Sequence, residues 1–272
     1  MIGEKSVRRL ALAAALLAAL VWLFPYAWML LTSFKTPQEL LKAPTALPGS
    51  WRFSAYAEVF QALPVARYVG LTTVMALSIA ALQIAIALPA AYALAKLDFR
   101  LRGAAFALLL SALLIPAELR FVPTFTLFSA LGLVNTLPAL VLPFAVSAFG
   151  TFLLRQALLS VPNSLIEAAR LDGASELYIV YRVLPPILAP SLMAFFLVSF
   201  VHHWNDYFWP LVMTVDDQVR TLPLGIALLR EQGSGVRWHI IMAGSTLLSL
   251  PALGLFAFSQ KYLMRGLGSG VG

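Results

Sequence analysis

Cysteine is absent from this 272-residue chain, which excludes disulfides, thiol nucleophiles and thiolate-held metals. Charge is also scarce. Asp, Glu, Lys and Arg make up 11% of residues, against about 25% in typical soluble domains. Lysine occurs only as Lys5, Lys35, Lys42, Lys96 and Lys261. None of them follows a Gly-x-x-x-x-Gly pattern, so the phosphate-cradling loop of nucleotide hydrolases is missing. Glycosidase, metalloprotease and Ser-His-Asp signatures are missing at recognisable spacing. There is no strand-like alternation of the kind that builds a barrel, no tandem repeat and no low-complexity linker.

What is abundant is apolar. Hydrophobic residues make up 61% of the chain and mean hydropathy is +0.86. A soluble surface this apolar would carry large sticky patches. A helix crosses a bilayer with about 20 apolar residues, and six such runs can be drawn. They cover about 10–32, 69–94, 104 to at least 115, 137–158, 187–213 and 239–263. Lipid offers no partners to backbone groups, so each run is expected to be a helix. The fold class is therefore all-α, a polytopic membrane protein with six transmembrane helices. Pro116 and Pro123 are expected to bend or end the third run. The first run starts with Lys5, Arg8 and Arg9 and continues through Trp22, Phe24, Tyr26 and Trp28 to Phe34. That is longer than the roughly 7–15 apolar residues of a signal peptide, so it reads as an uncleaved anchor.

The net charge of +7 would suggest nucleic acid in a soluble chain. Here Lys and Arg lie between spans and act as topology signals, so no nucleic-acid partner is expected. The basic N-terminus, the turn with Lys96, Arg100 and Arg102, and the end with Lys261 and Arg265 fall on one side of a six-span bundle. That side is read as cytoplasmic, with both termini on it. Positive charge on the other side (Lys35, Lys42, Arg52, Arg67, Arg120, Arg220, Arg230, Arg237) lies mostly in the longer loops 35–67 and 214–237. Trp51, Phe53, Tyr56 and Phe60 give the first of these loops an apolar side that should pack. The organisation is thus an anchor helix with its outer loop over 1–67, a core over 68–263 and a tail over 264–272.

A polar island, Glu167-Ala168-Ala169-Arg170-Leu171-Asp172-Gly173, interrupts the cytoplasmic segment 159–185. Ser164-x-x-Glu167 has the capping-box pattern, with Asn163 as a competing cap. Gly173 can take the left-handed conformation that ends a helix. Ser175 can cap a second short helix through about Arg182, which Pro185 and Pro186 would stop. Two short helices with an abrupt turn make a rigid knob. Small Ala168 and Ala169 would admit a partner surface, with Glu167, Arg170 and Asp172 charged at its rim. An interfacial helix lying on lipid would instead be rich in Lys, Arg and bulky apolar residues.

Glu167-Ala168-Ala169, Gly173, Val183 and Pro186 resemble the EAA loop of permease subunits of ATP-binding-cassette (ABC) importers. Phe24-Pro25, Ser33-Phe34-Lys35, Ala91-Tyr92-Ala93-Leu94-Ala95, Asn205 through Leu211, Gln260-Lys261-Tyr262 and Arg265-Gly266-Leu267 resemble the carbohydrate branch, that of maltose and glycerol-3-phosphate importer permeases. The likeness covers nearly the whole chain. It departs at Pro185-Pro186, where the family has Leu-Pro, and at Gly70-Leu71, where Asn-Ser is frequent. The resemblance implies the type I importer permease fold in a bacterial or archaeal inner membrane. It also implies a second homologous permease subunit, two ABC ATPase subunits that use ATP and Mg, and an extracytoplasmic binding protein that delivers a sugar or related polyol. Glu167, Ala168, Ala169, Arg170, Asp172 and Gly173 would be the ATPase-coupling loop. No cofactor would bind this chain itself.

The fifth run holds the best candidates for a substrate path: Trp204, Asn205, Asp206 and Tyr207, beside His202 and His203. Ionisable groups within a span usually face a cavity or partner. Asn and Asp suit hydroxyls, and aromatic faces suit sugar rings. An aromatic belt at the membrane surface accounts for the same residues. Adjacent His side chains on a helix point about 100° apart, which argues against a shared metal. Glu118 and Arg120, after the third run, either pair or line the path. Gln83 can bond across helices, and Tyr92 is expected to be packed or interfacial. The outer loop with Asp216, Asp217, Arg220, Arg230 and Glu231 reads either as solvated or as a contact for the binding protein. The spans hold almost no basic groups, which favours a neutral sugar over a phosphate. An ion-coupled secondary transporter or channel is the alternative. It should show broken helices, intramembrane charges and internal repeats.

Overall fold

The computed structural model describes residues 4–230 and 237–268. Glu231 and the end of the tail, 269–272, lie outside the described residues. There is no strand among those described. Three expected spans are single long helices: α1 (Glu4–Ser33), α4 (Val65–Lys96) and α15 (Trp238–Gly268). Each contains one proline, Pro25, Pro89 or Pro251, without ending there. Between α1 and α4 lie two short helices, α2 (Pro37–Lys42) and α3 (Ser54–Ala62).

The other three spans are broken. The third is α5 (Arg102–Leu113) followed by α6 (Ala117–Ala130). Pro116 is the residue at the break, whereas Pro123 sits inside α6 and does not end it. The fourth is α7 (Leu137–Val141), continued by a 3-10 turn over Leu142–Phe144, then α8 (Ala148–Leu159) at 46°. Ser147 caps α8 by accepting from the Gly150 N–H at 3.0 Å. The fifth is preceded by α9 (Asn163–Leu171) and α10 (Glu176–Tyr178). A π-helical turn over Ile179–Val183 then joins α11 (Leu184–Ile187) to α12 (Ala189–Trp204). The chain bends by 89° between Ile187 and Ala189. Past Trp204, α13 (Phe208–Met213) and α14 (Leu222–Leu228) complete the series. Broken helices are therefore present, so that feature does not separate an ABC permease from a secondary transporter.

The chain divides into two compact units. One comprises the residues up to Val65 together with Gly225–Pro251. In it the loop after α1 packs as its aromatic content predicts. The Phe34 ring lies 5.2 Å from Trp51, 5.2 Å from Phe53 and 5.7 Å from Tyr56. Phe60 takes no part and is exposed. Lys35 is buried, donating to the Pro44 carbonyl at 2.7 Å with its ammonium over the Trp28 ring.

The other unit comprises Ala66–Leu224 and the chain from Ala252 onward. Two apolar clusters stand out among its described residues. Met75, Ile79, Leu140, Trp209 and Met213 build one, bringing α4, α7 and α13 together. Ala87, Leu88, Ala91, Tyr92, Leu154, Leu158, Ile166, Ile179, Leu184 and Phe195 build the other. That second cluster holds α9 and the π turn against the ends of α4, α8 and α12.

Candidate coupling loop and adjoining helix ends

The segment between α8 and α12 folds as two short helices. Helix α9 starts earlier than the capping-box pattern predicts. Its N-cap is Pro162, with φ −61° and ψ 137°, and no side chain caps it. Ser164 lies one position into the helix and cannot serve. Asn163 is engaged elsewhere: its Oδ1 accepts from Lys96 Nζ at 2.8 Å, and the same ammonium donates to the Val161 carbonyl at 2.6 Å. A cation from α4 thus occupies the start of α9, and the reciprocal Ser164–Glu167 bonds do not form.

The end of α9 follows the expectation. Gly173 has φ +81°, the left-handed region where L side chains are strained. Its N–H donates to the Arg170 carbonyl and that of Ala174 to the Ala169 carbonyl, both at 3.0 Å. These two bonds are the Schellman termination. Ser175 then accepts from the Tyr178 N–H at 3.3 Å and caps the second helix.

That helix does not stop at Arg182. The π turn carries it on to Ile187, and Pro185 and Pro186 lie in the first turn of α11. A proline there lacks only a donor that the first turn leaves free, and π turns absorb such register changes.

Helical period sorts the island into two faces. Ile166 is buried and Ala169 half-buried, both against the inner cluster. Ala169 is therefore a packing residue and not, as expected, part of a surface open to a partner. Glu167, Ala168, Asp172 and Gly173 are exposed. So are Leu171, at 89%, and Leu177, at 68%, two apolar side chains that the sequence reading passed over. Leu171, being i+4 from Glu167, extends the outward face of α9.

Arg170 is not a free charge at the rim. Its Nε donates to Glu176 Oε1 at 2.7 Å, and its Nη2 donates to Glu176 Oε2 and to Tyr92 Oη, each at 3.2 Å. The Tyr92 hydroxyl donates to Glu176 Oε2 at 2.5 Å. Tyr92 is buried on α4, as expected. Its link to Glu176, 84 residues away, has no local signature. A small recess lined by Lys96, Asn163, Ile166, Glu167 and Arg170 lies beside this cluster.

At the far end of α12, Trp204 is fully buried and Asn205 is exposed, its amide donating to the Val201 carbonyl at 2.8 Å. Asp206 Oδ1 accepts from the N–H groups of Phe208 at 3.0 Å and Trp209 at 3.3 Å, so its carboxylate caps α13. Tyr207 is 45% exposed. Glu118 is exposed near the start of α6. Phe121, one turn on, packs against Phe208 at 5.1 Å and Trp209 at 5.7 Å, which brings α6 to the 205–209 segment. Among the described residues no ion pair joins Glu118 to Arg120.

Gln83 does bond across helices, donating to the Phe144 carbonyl at 2.8 Å and accepting from Ser199 Oγ at 2.7 Å. Buried His203 sits 3.4 Å from Gln83 and packs against Phe144 with the rings tilted by 51°. His202 and His203 do meet, edge to face with ring centroids 4.9 Å apart, contrary to the helix-geometry expectation. No cluster of three metal-ligating groups exists among the described residues.

The loop 214–237 is partly anchored. Val215 N–H donates to Asn135 Oδ1 at 3.0 Å, Tyr68 Oη donates to Asp217 Oδ1 at 2.8 Å, and Arg67 donates to the Gln218 carbonyl at 3.2 Å. It is therefore more than a solvated charged loop over 215–222.

Residues 8–268 match the model of a family described as "Binding-protein-dependent transport system inner membrane component". The chain belongs to that permease family. The permease is 33% identical over 253 residues to an arabinooligosaccharides transport system permease protein of Halalkalibacterium halodurans, covering 92% of this chain and 90% of that one. It is 32% identical to an sn-glycerol-3-phosphate transport system permease protein of Pectobacterium atrosepticum, with 85% of each chain covered. Its fold matches a chain from the crystal structure of a bacterial ABC transporter involved in the import of the acidic polysaccharide alginate. The TM-score is 0.82 at 23% identity, over 96% of the permease and 99% of that chain. A second match, at TM-score 0.62 and 18% identity over 96% of each chain, comes from that type of transporter in complex with an alginate pentasaccharide-bound periplasmic protein. The six-span, all-helical type I reading stands on these matches.

Proposed function

We propose that this permease forms half of the translocation pathway of an ATP-driven importer for a sugar or related polyol. A second permease subunit, two ATPase subunits and an external binding protein complete the assembly, with both termini and the 159–185 loop in the cytoplasm. The observation that carries the reading is the loop. Its outward face offers Glu167, Ala168, Leu171, Asp172 and Leu177 to a partner, while Ile166 and Ala169 fix it from behind. A rigid knob of mixed charge with two bare leucines suits a protein cleft better than a lipid surface, which would select basic residues. The ATP-binding machinery resides on the partner, since the chain lacks a phosphate loop. The arabinooligosaccharides in one relative's name, together with the shortage of basic groups in the spans, support a neutral, hydroxyl-rich substrate.

Gentle detergent extraction from native membranes, followed by identification of every co-purifying chain, tests this. An ABC ATPase and a second six-span permease are expected. Glu167→Lys combined with Gly173→Val should lose the ATPase while leaving membrane insertion intact. A wild-type chain that emerges alone, or a double variant that keeps its ATPase, would overturn the proposal.

A further inference from the structure

We infer that movement of the coupling loop is passed to the bundle through α4, by three polar tethers on one stripe of that helix. This rests on the coupling role proposed above and goes beyond it by naming the receiving element. The loop is continuous in sequence with α8 and α12, so either would be the obvious receiver. The hydrogen bonds point elsewhere. Among the described residues, every side-chain bond that leaves 161–187 for another helix ends on α4. Lys96 Nζ holds the Val161 carbonyl and Asn163 at the start of α9. Tyr92 Oη holds Glu176 and Arg170 at its end and just beyond. Tyr181 Oη donates to the Ala85 carbonyl at 2.8 Å from the π turn.

Positions 85, 92 and 96 lie seven and eleven residues apart. At about 100° per residue they share a face within roughly 40°. Lys96 and Tyr92 therefore grip the two ends of α9 from one side, and Tyr181 adds a third point further along the same stripe. Apolar contacts to α8 and α12 also exist, through Leu154, Leu158 and Phe195. Burial of that kind is non-directional, whereas hydrogen bonds weaken steeply when bent. Toward α12 the chain turns through 89° next to Leu188, a joint rather than a rod. A force on the outward face of α9 is thus delivered to the end of α4, and Tyr92, Lys96 and Tyr181 are positioning residues for coupling.

The test measures a distance in the assembled transporter with its ATPase subunits. Spin labels go on Ser164→Cys in α9 and Ala93→Cys in α4, the chain having no cysteine of its own. The expected result is one narrow distance, identical in nucleotide-free and ATP-bound complexes. With Tyr92→Phe and Lys96→Met added, the distance should broaden or shift on ATP binding, while ATPase co-purification and thermal stability stay near wild type. A wild-type distance that changes with ATP would overturn the inference, whether or not the variant folds. So would a variant that keeps the narrow distance, or one that sheds its ATPase. A wild-type chain that never co-purifies with an ATPase would instead overturn the functional reading beneath it.

Discussion

Glu39 illustrates how one carboxylate can organise a loop. The Thr36 N–H donates to its Oε2 at 2.8 Å, completing a capping box at the start of α2, and the Gly49 N–H donates to its Oε1 at 3.0 Å. The backbone bond from Thr36, above all, holds the carboxyl below its ordinary range, and the Gly49 bond adds to this. A depressed carboxylate stabilises the fold above its ordinary value and loses that contribution as pH falls through the depressed one. Protection of the Thr36 and Gly49 amides, measured against the intrinsic exchange rate at each pH, should accordingly fall on acidification below about pH 4, the ordinary carboxylate value. Glu39→Gln should abolish that pH dependence, and an unchanged profile in the variant would count against the assignment. Gly173 acts through its backbone alone: its φ is +81° and an added Cβ would meet nothing within 4 Å. Gly173→Ala should cost about 1–2 kcal/mol from the left-handed conformation, read as a lower melting temperature in detergent. This requirement was legible in the sequence, because a glycine after a short capped helix has one common use. The Arg170–Glu176–Tyr92 cluster was not legible, because Tyr92 lies 84 residues from its carboxylate partner.

Among elements, α8 and α12 meet at a glycine. A Cβ on Gly150 would lie 2.1 Å from the Phe195 ring, so the two helices approach only because that position has no side chain. Gly150→Ala forces Phe195 off its site and should destabilise by about 1–3 kcal/mol. Pairing it with Phe195→Leu should recover part of the loss, and a double variant no better than the single would refute direct contact as the cause. The six apolar runs were legible at this scale because length and hydropathy define them. Their breaks were less so. Pro116 does interrupt the third run, yet Pro123 and the prolines of α1, α4 and α15 do not end their helices. Proline alone does not decide: whether neighbours reoccupy the freed carbonyl does, and that is a tertiary property. The start of α9 failed for the same reason. Ser164 and Glu167 had the right spacing, but Lys96 reached Asn163 from another helix.

For the molecule as a whole, sidedness is the property to check. Thiol-reactive probes on single cysteines should label Ser164→Cys and Asp98→Cys only from the cytoplasmic side, and Leu47→Cys only from outside. Labelling of Ser164→Cys and Leu47→Cys from one side would overturn the six-span topology. The expectation rests on Lys and Arg counts, which act on insertion and not on packing. The substrate path has no comparable sequence signal. Asp206 was a candidate because it is ionisable near a span, and its oxygen is engaged with the Phe208 and Trp209 amides. Gln83, Ser199 and His203 form a polar crossing inside the bundle, and of these Gln83 and His203 stood out beforehand while Ser199 did not.

The π turn at Ile179–Val183 has a genetic consequence. A π turn accommodates one residue more than an α-helical turn of the same reach. Removing a single codon there lets the helix close in ordinary register and rotates everything before it by about 100°. Glu176 and Arg170, both before the turn, would swing away from Tyr92 together, with their chemistry untouched. The direction in which the knob points is therefore stored partly as a residue count, which an insertion or deletion can rewrite and no substitution can.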